Sequence, residues 1–312
     1  MSYISAIFAR STKIKFLVLS SAVVFFTSSL HAQDDMIWNE LDPENTVYLQ
    51  LEEGVVVIQL NPVFAPKTVK QFKRLLEEQF YRGRSFYRVI DGFVAQAGDE
   101  SDVEGESTEP MLDAEFEIDW PQKPEDKELA KEWQPMPWMQ VQKDDLFAPY
   151  TGFVDGFAVA RDSKKDGKGW PIHCPGVIAM ARGNEPGSGS TDFYIVIGQA
   201  PRYLDRNLTV FGRVVWGMEI VQKISRGPVT GPTPGSGMIE EDLDRTWIKR
   251  MRLASSLEEE ERLNILIADT NTKGYKKLLK DRRNRSHAFF HHNPPKVLDI
   301  CQVPVPARLE LK

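Results

Sequence analysis

Arg88 sits inside an apolar stretch, SFYRVIDGFVAQAGD, with Gln96 following on the same segment. A guanidinium keeps its charge and presents five N–H donors in a fixed fork, so it can steady an atom that gains electron density. Taken alone, an arginine on a strand is an ordinary surface residue. Other chemistry-bearing residues form weaker patterns. His173 neighbours Cys174, and His287, His291 and His292 lie upstream of Cys301. These types can ligate zinc, but their spacing fits no standard zinc pattern, and the reading is no metal. Gly187 and Gly189 lie among serines, yet the phosphate-loop pattern GxxxxGK[ST] is missing, so they read as a turn.

Arg88 needs a rigid frame, and the sequence around it carries strand signals. Thr46 to Leu60 reads TVYLQLEEGVVVIQL: Val47, Leu49 and Leu51 alternate with more polar residues, then come a Glu-Glu-Gly turn and a Val/Ile run. That pattern is two strands joined by a hairpin. In NPVFAPKTVKQFKRLLEEQFY, Val69, Phe72, Leu75, Leu76 and Phe80 share one helical face, with Pro66 near the helix start. Strand signals resume at PGVIAMAR, FYIVIG and TVFGRVV. WGMEIVQKI suggests a short helix and WIKRMRLAS a last strand, with a Gly/Pro loop between them. Short strands, two helices and many turns make the chain mainly β, as a barrel or an α+β domain.

Two regions differ in character. Residues 100–150 hold fifteen acids against four lysines, a local net charge of −11, with Trp120, Trp133, Trp138, Phe147, Tyr150 and six prolines. Acids call for water and aromatics for something to pack on. This stretch therefore reads as a long, partly ordered acidic insertion within one domain over 33–255. After Ser255 the composition shifts again. Ser256 is placed to cap a helix at LEEEER, RLNILIADT reads as a strand, and 273–285, with seven basic residues and one acid, reads as a helix. The charged face of that helix is expected to be solvated or set against the acidic insertion. The prolines near the end suggest an extended wrap, so 256–312 is expected as an extension packed on the barrel.

The first residues follow a different logic. Arg10, Lys13 and Lys15 precede FLVLSSAVVFF, and TSSLHA ends in Ala32 before polar Gln33. That is the layout of a secretory signal peptide over 1–32. The alternative is an uncleaved anchor, although the apolar run is shorter than the about 20 residues a span needs. Removing the three cations takes the formal net charge from −6 to about −9, unlike the basic balance of a nucleic-acid binder. The expected location is the periplasm, with no stable membrane insertion after cleavage. The two cysteines, Cys174 and Cys301, would then meet an oxidising compartment, which favours a disulfide tying the tail to the core. Two separate buried thiols are the alternative.

Three segments carry a family resemblance. SFYRVIDGFVAQAGD resembles the first signature of the cyclophilins, PGVIAMARGNEPGSGSTDFYIVIG is similar to their second, and YLDRNLTVFGRVVWGMEIVQKI is similar to the segment that follows. They lie in family order within about Thr46–Ser255. The resemblance implies an eight-stranded antiparallel barrel closed by two helices, usually monomeric and without a cofactor. It implies cis–trans isomerisation of X-Pro bonds in proline-containing polypeptides. It places Arg88 as the catalytic arginine assisted by Gln96, and puts Phe93, Val94, Ala181, Arg182, Tyr194, Tyr203, Leu204 and Leu208 along the proline groove. Val94, Asp192, Tyr194, Tyr203 and Leu208 depart from the commonest family residues. Tyr194 brings a hydroxyl that needs a partner, and Tyr203 in place of Trp implies weak cyclosporin binding. The competing expectation is a non-catalytic peptide-binding chaperone or envelope scaffold on the same fold.

Overall fold

The computed structural model describes residues 35–310 apart from 101–106, 108, 128, 228–235 and 241. The expected signal peptide, 1–32, lies outside the described residues. The chain enters as a short strand, β1 (Trp38–Glu40), then forms the hairpin β2 (Thr46–Gln50) and β3 (Val55–Leu60). Helix α1 (Pro66–Glu77) and a second hairpin, β4 (Ser85–Ile90) and β5 (Val94–Gly98), follow. An inserted sheet comes next: β6 (Ile118–Asp119), one-turn α2 (Leu129–Glu132), β7 (Met139–Lys143), β8 (Tyr150–Val154), β9 (Phe157–Arg161) and β10 (Lys168–Pro171). The chain returns to the first sheet through β11 (Val177–Met180), β12 (Phe193–Val196), β13 (Val210–Trp216), short α3 (Met218–Val221), β14 (Thr246–Trp247) and β15 (Arg250–Leu253). The tail adds β16 (Ile265–Ala268), α4 (Lys273–Arg283) and β17 (Ala307–Leu309).

The main sheet is antiparallel, in the order β14-β4-β5-β12-β11-β13-β3-β2-β15. Its two terminal strands are halves of one extended segment. Thr246 and Trp247 pair with Phe86 and Ser85, while Arg250–Leu253 pair with β2. Between them the Ile248 amide donates to the Arg84 carbonyl (2.8 Å) and the Lys249 amide to the Gln50 carbonyl (3.0 Å). Residues 246–253 thus join both ends of the sheet. Counted as one strand, they close an eight-stranded barrel and remove the edges an open sheet would expose.

Strand alternation divides the barrel wall. Phe193 and Ile195 point inward while Tyr194 and Val196 point outward. Ile178 and Met180 oppose Val177, Ala179 and Ala181 in the same way, and Ala95 and Ala97 oppose Val94. The inward set merges with Val69, Phe72, Leu75 and Leu76 of α1. Phe72 lies with its ring centroid 5.2 Å from Tyr81, 5.8 Å from Phe193 and 4.9 Å from Phe211. The outward set forms a second core with Trp170 and Ile172 of the inserted segment and Tyr275, Leu279 and Ile300 of the tail. Because both faces of β11 and β12 are covered, those strands read as continuous apolar runs. Cys174 and Cys301 form a disulfide across this second core, with Cα atoms 5.0 Å apart.

The structure departs from the sequence reading in three places. The inserted sheet, ordered β6-β10-β9-β8-β7, runs on to Pro171, well past residue 150. Its β8–β9 turn is Asp155-Gly156, with φ of 47° and 80°, the left-handed pair a two-residue hairpin needs. Inside the inserted sheet Arg161, only 4% exposed, lies 3.7 Å over the Trp120 ring and 5.5 Å from that of Trp138, cation–π contacts with two rings that meet edge-to-face at 5.4 Å. Second, LEEEER is not a helix but a single 3-10 turn, Glu259–Glu261, with extended residues on both sides. Ser256 does not cap it; its hydroxyl donates back to the Leu253 carbonyl (2.7 Å). Third, β1 pairs with β16, and β16 with β17, so the first described residues join the tail sheet and not the barrel.

Candidate active site

A groove of about 320 Å³ opens on the outer wall of the barrel, lined by Arg88, Phe93, Val94, Gln96, Ala181, Arg182, Tyr194, Leu204 and Leu208. The position of Arg88 follows from a bulge. Phe86 faces Ala97 but Arg88 faces Gln96, so Tyr87 is an extra residue in β4. Phe86 and Val89 both enter the barrel core as a result, and Tyr87 and Arg88 are both left on the groove side. The Gln96 Nε2 donates to the Tyr87 hydroxyl, and the Gln96 Oε1 accepts from Arg88 Nη1 (3.1 Å). Arg88 Nε donates to the Ser236 carbonyl (3.0 Å). The guanidinium is therefore fixed on two sides. Among the described residues Nη2 has no hydrogen-bond partner, which leaves donor capacity for a ligand.

The apolar side of the groove is equally constrained. Phe93 sits at the tip of the β4–β5 hairpin, and its carbonyl accepts from the Ile197 amide (2.9 Å). Gly198 passes so close to Gly92 that no larger residue would fit there. Tyr194 lies on the floor, and its hydroxyl meets His173 Nε2 at 2.9 Å. His173 is fully buried; its Nδ1 and its backbone amide both reach Asp205 Oδ1, at 3.1 and 2.9 Å. Arg202 Nε donates to the other oxygen of Asp205 (2.7 Å), and Arg202 Nη2 donates to Asp145 (3.1 Å). Burial, and then the charge of Asp205, push the Tyr194 hydroxyl well above the ordinary phenol range, so it stays neutral. Arg182 turns its guanidinium to the carbonyls of Asn207 (3.1 and 2.8 Å) and Gly183 (2.7 Å). It thereby holds the 204–208 wall to β11.

Two expected positions differ in place. Tyr203 is not on the groove floor but at the rim, 69% exposed, with its ring stacked on Phe93 at 6.5 Å. The 3-10 turn Arg202–Leu204 sends Leu204 inward and Tyr203 outward. Asp192 lies away from the groove, fully buried, accepting from the Glu100 amide (3.0 Å). Tyr87, His173, Asp205 and the Ser236 carbonyl were not anticipated. Only the bulge left a trace: Phe86 and Val89 are apolar three apart, which strict alternation does not allow on one face.

A guanidinium fixed above an apolar groove, on the outer wall of a closed antiparallel barrel, defines a site for an extended chain with an apolar residue to bury. Residues 46–242 match the family described as cyclophilin type peptidyl-prolyl cis-trans isomerase/CLD, and the chain belongs to that family. A probable peptidyl-prolyl cis-trans isomerase of Brucella suis biovar 1 (strain 1330) is 33% identical over 190 residues, 60% of this chain and 74% of the relative. Peptidyl-prolyl cis-trans isomerase CYP23 of Arabidopsis thaliana is 27% identical over 182 residues, 58% of this chain and 61% of that one. The crystal structure of cyclophilin AquaCyp293 from Hirschia baltica shares a TM-score of 0.66 and 27% identity, covering 92% of this chain and 98% of its own. That span is longer than the barrel alone.

Proposed function

We propose that this chain catalyses rotation about X-Pro peptide bonds in exported polypeptides, in the periplasm, as a monomer and without a cofactor. The observation that carries the reading is Arg88, held by Gln96 and Ser236 beside an apolar groove. Rotation about a peptide bond must overcome a barrier of about 18–20 kcal/mol, because the nitrogen lone pair is delocalised into the carbonyl. Both isomers of an X-Pro bond are populated, and no covalent bond breaks. In the twisted state the lone pair returns to the prolyl nitrogen, which becomes a hydrogen-bond acceptor. Arg88 donates to it there and not in the planar forms, so the interaction lowers the barrier and does not simply tighten binding. Phe93, Val94, Tyr194, Leu204 and Leu208 hold the pyrrolidine ring while the acyl side turns. A thousand- to millionfold acceleration requires about 4–8 kcal/mol, a range open to one charge-assisted donor in a preorganised site.

The direct test is an isomerisation assay on a proline tetrapeptide with the wild-type chain beside Arg88→Ala. The expected result is a fall in kcat/KM of about 10²–10³-fold with unchanged circular dichroism. Activity within twofold of wild type in the variant would remove Arg88 from the mechanism. The exposed apolar residues beside the groove, Tyr203 and Phe147, favour a second reading, a peptide-binding chaperone. Capture of unfolded polypeptide that survives Arg88→Ala, in a chain without isomerase activity, selects that reading. Export is supported by the charged and apolar runs before Ala32 and suits a disulfide-bonded chain. Cell fractionation that finds the chain in the cytoplasm would overturn it.

A further inference from the structure

We infer that the inserted sheet supplies an outer wall to the substrate groove, and that its β7–β8 hairpin tip selects apolar residues flanking the proline. The inference deepens the isomerase reading and rests on it for the identity of the bound chain.

The tip is bolted to the groove wall. Its loop closes through the Asp144 amide, which donates to the Pro149 carbonyl (2.8 Å). The next residue, Asp145, pairs with Arg202 at 3.1 Å, and the two side chains are 10% and 5% exposed. The Arg202 guanidinium carbon also lies 4.8 Å from the Phe147 ring centroid. Arg202 opens the 3-10 turn that carries Tyr203 and Leu204, and it continues through Asp205 and His173 to Tyr194 on the groove floor. A buried ion pair made by Asp145 therefore links the inserted hairpin to the groove floor. Removing one member leaves the other charged and buried.

What this anchored tip displays is apolar. Leu146 is 89% exposed, Phe147 53% and Tyr203 69%, three large apolar side chains gathered around one buried pair. Tyr203 stacks on Phe93 with ring centroids 6.5 Å apart, and Phe93 lines the groove. Phe147 lies against the Arg202 guanidinium and Tyr203 follows Arg202 in the 3-10 turn, so one arginine ties the exposed apolar side chains of the hairpin tip to the groove rim at Tyr203 and Phe93. Clustered exposed apolar side chains of this kind mark interaction surfaces. The Tyr203 ring lies 6.5 Å from that of Phe93, about two residues of an extended chain at about 3.3–3.6 Å each, so the ledge faces positions beyond the residue next to proline. The occupant is the stretch of unfolded polypeptide that adjoins the X-Pro bond, with apolar side chains at those positions.

The test uses the full chain and two proline peptides that differ only in their outer residues, one flanked by Leu and Phe and the other by Ser. Isomerisation and equilibrium binding by calorimetry are measured for wild type, for the double variant Leu146→Ser with Phe147→Ser, for Leu146→Ser alone, and for Phe289→Ser as an exposed control in the tail. The double variant is expected to raise KM and Kd for the apolar-flanked peptide about tenfold, or about 1.4 kcal/mol. Its kcat and its binding of the Ser-flanked peptide stay as in wild type. Leu146→Ser alone, whose side chain is almost fully exposed, shifts the apolar peptide about threefold, and Phe289→Ser shifts neither. Equal losses for both peptides, or none for either, would overturn the inference. If wild type binds peptides but does not isomerise them, the isomerase reading fails while the paired binding constants still decide on the ledge.

Discussion

The barrel is filled by aliphatic side chains and a group of packed rings around Phe72 and Phe193, whereas the inserted sheet buries an arginine against two tryptophans and is tied down by a disulfide and a buried ion pair. Apolar burial is non-directional and roughly proportional to area, so the barrel distributes its stability over many residues. The inserted sheet and tail share the second apolar core and add to it a few paired groups, each costly to leave alone. The groove lies where the two meet. Its arginine is placed by a barrel strand, and its rim is placed by a turn that the insertion grips. Chemistry and reach are therefore held by different parts of the molecule and should fail separately.

The largest separation is expected from Phe193→Ala. It opens the barrel centre and should cost about 3–5 kcal/mol in denaturant unfolding, taking isomerase activity with it near the new midpoint. Next comes removal of the disulfide by Cys174→Ala with Cys301→Ala. The bridge spans 127 residues of sequence, and its loss should cost about 2–4 kcal/mol. Hydrogen exchange should rise first at β16, β17 and Ile300, while β3 and β13 stay protected. If barrel and tail amides exchange together, the two regions form one cooperative unit and the comparison breaks down.

Smaller changes sharpen the picture. Tyr194→Phe removes the hydroxyl that faces His173 Nε2 and leaves a buried polar atom without that partner, at about 1–3 kcal/mol. Arg88 is held by a different set of partners, so kcat/KM should stay within about threefold. A hundredfold loss would show that the His173 chain positions the arginine as well. The smallest effect is electrostatic. Burial, and then Asp269, raise the Asp155 carboxyl above its ordinary 3.8. The folded chain therefore keeps this proton to higher pH than the unfolded chain does, and stability falls as pH rises from about 3.8 through the raised value. Asp155→Asn keeps the left-handed turn. It should raise stability at pH 7 by less than about 1 kcal/mol, since the site is open to water. The gain should vanish below about pH 4. A gain that persists at pH 3 would point to the turn itself and not to the charge.

Where one face of an element was buried, its spacing in sequence was enough to find it. The β2–β3 hairpin and α1 lie where alternation and the Val69, Phe72, Leu75 and Leu76 face put them. Nine of the ten site residues assigned by resemblance line one cavity, with Tyr203 on its rim, while Asp192, also placed in the groove by resemblance, lies away from it. The β8–β9 hairpin went unread although FVDGFAV carried its signal, an Asp-Gly pair between apolar residues, because the acidic stretch before it suggested loose structure. LEEEER failed in the opposite direction. Helix-favouring composition had no apolar face to bury, and propensity alone does not hold so short a helix.

The sequence by itself determined the barrel wall, its turns and the family of the chain, because side-chain period and turn chemistry are local properties repeated along the chain. It also determined that an arginine would stand between Tyr87 and Val89. Only the tertiary structure decided which way that arginine faces, since one extra residue in β4 shifts the register and nothing in the alternation says where a bulge will be tolerated. Only the tertiary structure joined Asp145, Arg202, Asp205, His173 and Tyr194. Buried polar partners are chosen by three-dimensional proximity and by the cost of leaving any one of them unpaired, and neither is written in their spacing along the chain.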